Sequence, residues 1–262
     1  MAWRRIARLL GIYKVYENIL EREVKRHEVP RHIGFILDGN RRWARKHRLP
    51  PWLGHKAGAD KVDEVLDWCY DLGVETVTLY VLSVENLKKR SREEISALLG
   101  LIEDKVDDLL STRRLERREV RFKVIGRVDM LPQSLREKLV TLEERTSGFD
   151  KKYLNLAIAY GGRNEIVDAA RKIAEEVAKN NISLGEVDEK LFEQYLYTGG
   201  LPHPNPDLVI RTSGEVRISN FLLWQIAYSE LFFLDVYWPE FRRIDLLRAI
   251  RAYQKRQRRF GA

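Results

Sequence analysis

HIGFILDGNRRWARK, residues 32–46, is the stretch that decides the first strand and the first turn of this chain. Its apolar run 33–37 is short, as is typical of a strand buried on both faces of a parallel sheet. Gly39 can adopt backbone angles that other residues avoid, so a ligand can approach the main chain closely there. Asn40 is a favourable N-cap, which predicts a helix over 41–47. The stretch therefore predicts a strand, a tight turn and a helix in direct succession.

A single carboxylate, Asp38, stands at the end of this strand, and Arg42 follows one helical turn later. The free N–H groups and the positive dipole end of the helix would lie beside both side chains. An acid that can hold a metal ion, next to donors that bind anions, suits a metal-bound phosphate ester. The competing interpretation is an ordinary strand, turn and helix with a solvated polar cap.

Apolar runs and helical periodicity alternate along the remainder of the chain. Strands are predicted at 32–37, 77–82, 121–125, 153–159, 207–210 and 231–236. Helices are predicted at 56–71, 92–111, 134–146, 164–179, 188–197 and 243–257, with a shorter helix near 218–226. Such alternation predicts an α/β fold with a mostly parallel six-stranded sheet flanked by helices. No repeat, linker or low-complexity stretch interrupts it, so a single domain is expected.

The composition favours an anionic partner. Lysine and arginine number 47 against 39 acidic residues, and the formal net charge of +8 suits phosphates, acidic lipid surfaces or nucleic acid. Cys69 is the only cysteine, which excludes an intramolecular disulfide and a cysteine-based zinc site, and its apolar neighbours predict a buried structural thiol. No apolar stretch reaches the length of a membrane span and no secretory signal opens the chain, so a cytoplasmic location is expected.

The amino-terminal segment 1–28 predicts an amphipathic helix, in which Trp3, Leu10 and Leu20 share one face and basic residues are interleaved. Such a helix would lie on an anionic membrane surface, or pack on its own domain or on a second copy of the chain. Pro30 separates it from the first strand. The chain is therefore divided into this helix, 1–29, and the α/β domain, 30–262.

Polar residues follow nearly every predicted strand, at 38–42, 83–86, 126–127, 160–164 and 211–219. Because the carboxyl ends of parallel strands meet at one edge of the sheet, their convergence predicts a site for a polyanion at that edge. The sequence contains no P-loop, GxGxxG, GxSxG or HExxH pattern, which argues against kinases, dinucleotide enzymes and serine hydrolases.

Two further features each have a functional and a structural interpretation. The helix predicted at 92–111 has a broad apolar face, which either packs in the core or forms one wall of an apolar substrate tunnel. His55 stands at the start of another helix and could donate to a phosphate or relay a proton, although a lone histidine is more often structural.

Several motifs, taken together and in this order, resemble the cis-prenyltransferase family, the undecaprenyl and dehydrodolichyl diphosphate synthases. They are DGNRRWA (38–44), GHKAG (54–58), SVEN (83–86), YGGR (160–163), PDLVIRTSGE (206–215), RISNFLLWQ (217–225) and WPEF (238–241). The resemblance covers residues 30–262 and implies a homodimeric enzyme that depends on Mg²⁺. Such an enzyme extends an allylic diphosphate primer, farnesyl or geranylgeranyl diphosphate, with isopentenyl diphosphate units. Its product is a long cis-polyprenyl diphosphate, the precursor of a glycosyl carrier lipid.

The resemblance also implies roles for the residues at matching positions. Asp38 would be the principal catalytic residue and the Mg²⁺ ligand, Asn86 would assist proton removal, and Glu230 matches a second acidic, metal-associated site. The residues that would bind the substrates are Gly39, Asn40, Arg41, Arg42, Trp43, His55, Ser83, Val84, Glu85, Leu87, Arg90, Arg211, Arg217, Ile218, Ser219, Arg259 and Gly261. Among these, Arg211, Arg217 and Ser219 would hold isopentenyl diphosphate, and the tail from Arg259 to Gly261 would reach into the partner subunit's site.

Some positions depart from the bacterial pattern of this family. Arg41, Leu87 and Val216 stand where many bacterial members have glycine, tryptophan and histidine, and Pro51 stands where they have an arginine. Arg41 and Val216 are closer to the archaeal and eukaryotic branch. Lys88 is an apparent one-residue insertion, so the register of 87–94 against the family is open.

Three other classes of function compete with this interpretation. A non-catalytic partner subunit of the same fold would tend to lose the Asp38 motif, which is present here. A nucleic-acid-binding module would need base-stacking aromatic residues on an exposed face, so no nucleic-acid partner is expected. A phosphohydrolase also uses an aspartate, Mg²⁺ and arginines, and an assay with isopentenyl diphosphate separates chain growth from phosphate release.

Overall fold

The computed structural model describes residues 12–256, and these contain one six-stranded, entirely parallel sheet. Its strands are β1 His32–Ile36, β2 Thr76–Ser83, β3 Val120–Ile125, β4 Lys152–Tyr160, β5 Leu208–Arg211 and β6 Glu230–Phe233. Their order across the sheet is β3-β4-β2-β1-β5-β6. The predicted single-domain α/β fold is confirmed, and each predicted strand is present with ends that differ by at most three residues.

Helices flank the sheet and connect its strands. They are α1 Ile12–Val24, α2 Asn40–Lys46, α3 Pro51–Asp71, α4 Val84–Lys89, α5 Arg92–Thr112, α6 Arg114–Arg117, α7 Gln133–Thr146, α8 Gly162–Ala178, α9 Glu189–Tyr195 and α10 Arg243–Lys255. Helix α3 begins five residues before the predicted start, because Pro51 is suited to the first position of a helix. The short helix α4 was not predicted, since six residues carry little periodicity.

The helix predicted near 218–226 is wrong. The segment consists of turns, and Ser219, Asn220 and Leu222 have φ angles of 49°, 64° and 43°. Residues in this left-handed conformation cannot continue a right-handed helix. The apolar spacing that suggested a helix instead lets Phe221 and Leu222 enter a small second core with Tyr80 and Tyr160.

Strand β1 lies in the middle of the sheet, and all five of its residues are buried. Phe35 packs against Trp238 and Phe241, with ring centroids 5.9 Å and 6.2 Å away. Both neighbours of Phe35 are themselves fully buried. The central strand is thus fixed on both sides, which holds the residues that follow it at the carboxyl edge of the sheet.

The described part of the amino-terminal helix, α1, packs on α10. Leu20 and Val24 are buried in the main core, Arg243 Nη2 lies 2.9 Å from Glu21 Oε1, and Gln254 Nε2 donates to the carbonyl of Val24 at 3.0 Å. This contact matches the interpretation in which the helix packs on its own domain. The remainder of the predicted helix, with Trp3 and Leu10, lies outside the described residues, and the domain division at residue 29 stays a prediction.

Cys69, on α3, is fully buried, and this burial raises the pKa of its thiol. It therefore has the environment of the structural thiol that the sequence predicted. Within residues 12–256, no helix is both long enough and apolar enough to cross a membrane.

His32, the first residue of β1, makes the stability of this fold depend on pH. Its side chain is fully buried, with Nε2 2.7 Å from Thr78 Oγ1, and burial lowers the pKa of His32 to about 4 although the nearby Asp207 opposes the shift. The unfolded chain takes up this proton below pH about 6.5, whereas the folded chain does so only near pH 4. The stabilising effect of neutral His32 is therefore complete above pH 6.5 and is lost as the pH falls.

We expect the free energy of unfolding to decrease between pH 6.5 and pH 4, by about 3 kcal/mol from His32 alone. Urea unfolding at a series of pH values measures this decrease. His32→Asn should flatten the dependence, while His47→Asn, which changes an exposed histidine, should not. An equal slope in wild type and His32→Asn would contradict the assignment.

Candidate active site

Asp38 lies two residues beyond the end of β1, and both of its carboxylate oxygens accept hydrogen bonds from arginines. Arg211 Nη2 donates to Oδ2 at 2.8 Å, and Arg42 Nη2 donates to Oδ1 at 3.3 Å. Arg211 is the last residue of β5, and the register aligns it with Ile36 of the neighbouring β1. The parallel pairing of β1 and β5 therefore brings together side chains that are 173 residues apart in the sequence.

Arg211 is held by the turn segment that follows β5. Its Nη1 donates to Ser219 Oγ at 2.7 Å and to the main-chain carbonyl of Arg217. The residue is only 4% exposed, and its Nε is buried without a hydrogen-bond partner among the described residues. Because a guanidinium stays charged, this arrangement leaves a strong, fixed donor for an anion.

Arg42 connects Asp38 to the loop after β5. It donates to Ser213 Oγ and, at 3.0 Å, to Glu215 Oε1, while Glu215 Oε2 lies 2.5 Å from Arg217 Nη1. Sequence reasoning gave no role to Ser213 or Glu215. The signals were their place in the motif at 206–215 and in the polar segment after the fifth predicted strand, and neither shows which side chains meet.

The charges around Asp38 keep it ionised. Burial by itself raises the pKa of this carboxyl group, but the hydrogen bond and charge of Arg211, together with the charge of Arg42, outweigh burial and hold the pKa below its ordinary value. Asp38 is therefore a carboxylate at neutral pH, which a metal ligand must be.

Two glycines of the GHKAG motif let α3 pack directly on the start of α2. A Cβ on Gly54 would come 2.2 Å from the carbonyl oxygen of Asn40, and one on Gly58 would come 2.5 Å from Asn40 Oδ1. Asn40 is not the N-cap that the sequence predicted. Gly39, with φ of 105°, takes that position, and Asn40 is the first residue of the helix, with Oδ1 buried and unpartnered among the described residues. The turn falls one residue earlier because glycine adopts this left-handed angle without strain.

We expect Gly54→Ala to lower the melting temperature and the activity together. The new methyl group would meet a main-chain oxygen, so α2 and Asn40 must move away from α3. Gly100→Ala on α5 is the matched control, because nothing lies within 4 Å of its Cβ position and alanine favours a helix more than glycine does. Thermal melts and steady-state assays of both variants measure the difference. A Gly54→Ala protein as stable as Gly100→Ala would contradict this packing argument.

A second cluster of charged groups surrounds Glu94, in the first turn of α5. Glu94 Oε1 lies 2.9 Å from Arg90 Nη1, 3.6 Å from Arg41 Nη1 and 3.9 Å from His55 Nε2. Burial lowers the pKa of His55 to about 4, with a further contribution from Arg90 that Glu94 partly offsets. His55 is therefore neutral at pH 7, and its buried Nε2 makes no hydrogen bond with a described residue.

Asn220 connects the turn segment to α4 and α8. Its Nδ2 donates to Glu85 Oε1 at 2.8 Å, its Oδ1 accepts from the main-chain N–H of Arg163 at 2.9 Å, and its carbonyl accepts from Gly162 N at 2.8 Å. Asn220 thereby positions the adjacent Ser219, which binds Arg211. Asn220 lies in the motif at 217–225, but its function could not be predicted from the sequence, since its partners lie on two other elements.

An apolar cavity of about 640 Å³ extends from Asp38 between α3, α5 and the sheet. Its wall includes Leu37, Val62, Leu66, Leu79, Val81, Leu98, Leu101, Ile102, Val106, Leu109, Phe122, Leu154 and Leu156. Leu154, on this wall, is aligned with Val77, and Val77 is aligned with Ile33. Ile33 lies five residues before Asp38, so the cavity descends roughly 16 Å along the sheet from Asp38. The predicted apolar tunnel is present, and α5 contributes to it on the same face that packs in the core.

The structure brings most predicted site residues to this cavity. Those on its wall are Asp38, Asn40, Arg41, His55, Ser83, Glu85, Asn86, Arg90, Arg211, Arg217 and Ser219. Behind the wall, or beside it, lie Gly39, Arg42, Trp43, Val84, Leu87 and Ile218. Arg259 and Gly261 lie outside the described residues.

Glu230 does not join the site within one chain. It is the first residue of β6 and is aligned with Leu208 and hence with Ile33, at the amino edge of the sheet, and it forms an ion pair with Arg256. Asp38 lies beyond the opposite edge, roughly 16 Å away along the strands. At this separation the two acids cannot hold one metal ion in the same chain. A motif match could not indicate this, because it does not record which end of a strand a residue occupies. A separate metal role for Glu230 stays a prediction.

The donor set at Asp38 fits a divalent cation only together with an anionic ligand. Among residues 12–256, no group of three or more His, Cys, Asp or Glu side chains could hold a metal ion. Asp38 supplies one carboxylate, and Arg42 and Arg211 lie beside it. Mg²⁺ is commonly held by one or two carboxylates with phosphate oxygens and waters, so these residues suit a metal–diphosphate complex.

The chain is similar to known proteins over most of its length. A family model described as undecaprenyl diphosphate synthase matches residues 36–261. A tritrans,polycis-undecaprenyl-diphosphate synthase (geranylgeranyl-diphosphate specific) from Methanopyrus kandleri is 53% identical over 253 residues, which cover 97% of this chain and 92% of that protein. The synthase of the same description from Thermoplasma volcanium is 54% identical over 248 residues, 95% of each chain.

A solved structure shares the fold. The crystal structure of lavandulyl diphosphate synthase from Lavandula x intermedia, in complex with dimethylallyl diphosphate, superposes with a TM-score of 0.86 at 34% identity. The match covers 92% of this chain and 100% of that one. This chain thus shares its fold with a protein whose crystal structure contains dimethylallyl diphosphate.

Proposed function

The chain belongs to the undecaprenyl diphosphate synthase family and is a cis-prenyltransferase, and from this premise we propose how its residues perform the reaction. The substrates are an allylic diphosphate primer and isopentenyl diphosphate. The observation that carries the proposal is the ionised Asp38 between Arg42 and Arg211, at the mouth of an apolar cavity. A charged mouth suits the diphosphates, and the apolar interior suits the prenyl chain.

Asp38 would hold Mg²⁺ together with diphosphate oxygens of the primer. The ion, when bound, neutralises the negative charge that develops on the departing diphosphate. Around it, Arg41 and the neutral His55 line the mouth and are our candidates for orienting the diphosphate. Donors fixed in advance stabilise such charge strongly because they do not reorganise during the reaction.

Arg211, Arg217 and Ser219 would bind isopentenyl diphosphate. Both arginines line the cavity, Arg211 with a buried Nε that has no hydrogen-bond partner among the described residues and Arg217 with an exposed side chain. In the reaction a carbon–carbon bond forms between the two substrates, the primer's diphosphate leaves with the C–O electron pair, and isopentenyl diphosphate loses a proton. Asn86, whose main chain is fixed by Ser83 Oγ at 3.0 Å, is our candidate for assisting that proton's removal.

We propose geranylgeranyl diphosphate as the primer, since the curated relatives that match over nearly the whole chain are named specific for it. Incubation with radiolabelled isopentenyl diphosphate and either primer tests this choice. Faster growth from geranylgeranyl than from farnesyl diphosphate is expected, and chain analysis gives product length. Release of phosphate without chain growth would instead indicate a phosphohydrolase, and no turnover by the pure chain would indicate a partner subunit.

We further propose that the enzyme is a homodimer whose Arg259 and Gly261 reach the partner's site. The edge strand β6 supports this, because Leu231 and Phe232 are only half-buried and the adjacent Tyr228 is 81% exposed. An unpaired strand edge with apolar side chains is a common surface for association. Light scattering after size-exclusion chromatography tests the dimer.

A peripheral membrane contact is the remaining proposal, and the exposed loop between α2 and α3 supports it. Leu49 in this loop and Trp52 at the start of α3 are 38% and 55% exposed, and the exposed Arg45 and Arg48 stand nearby in the sequence. Basic and aromatic residues together favour anionic lipid surfaces. Sedimentation with anionic and with neutral vesicles tests the contact, and a cytoplasmic location stays a prediction.

A further inference from the structure

Apart from the charged residues at the cavity mouth, the described part of the cavity wall has charged side chains at one place, Lys105 and Asp63. Lys105 on α5 faces α3, with Nζ 3.2 Å from Asp60 Oδ1 and 3.1 Å from Asp63 Oδ2. Lys105 and Asp63 both line the cavity, next to Val62, Ile102 and other apolar residues. A charged pair in an otherwise apolar wall costs desolvation and therefore calls for an explanation.

The same side chains also reach solvent. Lys105 is 30% exposed and Asp60 is 60% exposed, so the ion pair extends from the cavity to the outside of the molecule. The two aspartates raise the pKa of Lys105 above its ordinary value although burial opposes this, so the pair stays charged at neutral pH. Lys105 and Asp63 are therefore part of the cavity wall between α3 and α5, and the more exposed Asp60 pairs with Lys105.

The cavity is short for a long product. It descends roughly 16 Å along the sheet from Asp38. An undecaprenyl chain, named in the description of the relatives, has eleven five-carbon units. A chain of that size must leave the cavity while its diphosphate is still at Asp38.

We propose that Lys105, Asp60 and Asp63 form a side gate between α3 and α5, through which the growing chain leaves the cavity, and that this gate limits product length. The inference rests on the proposed function. An apolar chain can pass only by separating or desolvating the ion pair, which opposes its passage. Lys105 lies thirteen residues after Arg92, the start of α5, or about 20 Å along the helix, so the gate lies well inside the cavity and away from its mouth.

The test compares product lengths of wild type, Lys105→Met, Lys105→Arg and Lys138→Met. Methionine keeps the length of the side chain and removes its charge, whereas arginine keeps both aspartate contacts possible. Lys138 on α7 is the matched control, because its Nζ also bridges two carboxylates, Glu103 at 2.9 Å and Asp107 at 2.6 Å, but does not line the cavity. Products are separated by chain length at equal consumption of isopentenyl diphosphate, so differences in rate do not enter.

We expect Lys105→Met to make products longer by one or more isoprene units, and Lys105→Arg and Lys138→Met to keep the wild-type length. Products of unchanged or shorter length from Lys105→Met, or an equal shift from Lys138→Met, would overturn the gate while leaving the proposed function intact. Failure of wild type to extend any primer would instead overturn the proposed function, and the gate with it. Thermal melts of the two methionine variants show whether loss of an ion pair alone affects the fold.

Discussion

Asp38→Ala is expected to lower kcat by at least about 10³-fold at saturating Mg²⁺, because the departing diphosphate then lacks the carboxylate that holds its cation. Asp38→Asn should lose nearly as much. Its amide oxygen can still accept a hydrogen bond from Arg211 or Arg42, but it carries no charge for a metal ion. Steady-state and single-turnover assays with the primer and isopentenyl diphosphate measure the loss.

Asp168→Asn is the control for this prediction. Like Asp38, Asp168 accepts hydrogen bonds from guanidinium groups on both carboxylate oxygens. In Asp168 both come from Arg127, at 2.7 Å and 2.9 Å, and Asp168 does not line the cavity. It should therefore keep kcat within about threefold of wild type. Near wild-type turnover by Asp38→Ala would contradict this mechanism. An equal loss of kcat in Asp168→Asn would show that the loss comes from a general effect on the structure.

Arg211→Lys is expected to lower kcat/KM for isopentenyl diphosphate by about 10²- to 10³-fold. Arg211 contacts Asp38, Ser219 and the Arg217 carbonyl at once, and still has Nε free. A lysine places a single point charge at the end of a flexible chain and cannot keep this fork of contacts. We therefore expect Asp38 to be less well oriented and isopentenyl diphosphate to bind more weakly.

Arg217→Lys separates these effects. The side chain of Arg217 is 62% exposed and pairs with Glu215 through Nη1, so lysine there should mainly raise KM for isopentenyl diphosphate, with a small change in kcat. Titration of each substrate against both variants, with a thermal melt of each protein, measures the split. The role of Arg211 would be refuted if its lysine variant behaved like that of Arg217.

The stretch at 32–46 predicted its own structure well, because the information is local. An apolar run of five residues before Asp-Gly reads as a buried strand and a turn, and β1 ends within one residue of the prediction. The helix after it was predicted with the wrong cap. Asn40 is a good capping residue in isolation, but the packing of Gly54 and Gly58 against it requires it inside the helix.

Predictions failed where one residue depends on distant partners. The apolar spacing at 218–226 has a helical period, yet the bonds of Asn220 to Glu85, Gly162 and Arg163 fix the segment as successive turns. For Glu230 the motif match implied a second acidic, metal-associated site, which stays a prediction, and only the strand register shows that it lies at the edge of the sheet opposite Asp38. Neither the bonds nor the register can be read from the residues themselves.

By itself, the sequence determined the alternation of strands and helices, the polar residues after each strand and the family, since these follow from local periodicity and from ordered motifs. Only the tertiary structure decided that Arg211 binds Asp38, that Lys105 places a charged group in the wall of an apolar cavity, and that Glu230 lies at the opposite edge of the sheet from Asp38. The physical reason is that each of these facts depends on strand register or helix packing between segments far apart in the chain. Such contacts are selected by the whole core and not by the local propensities of the residues that meet.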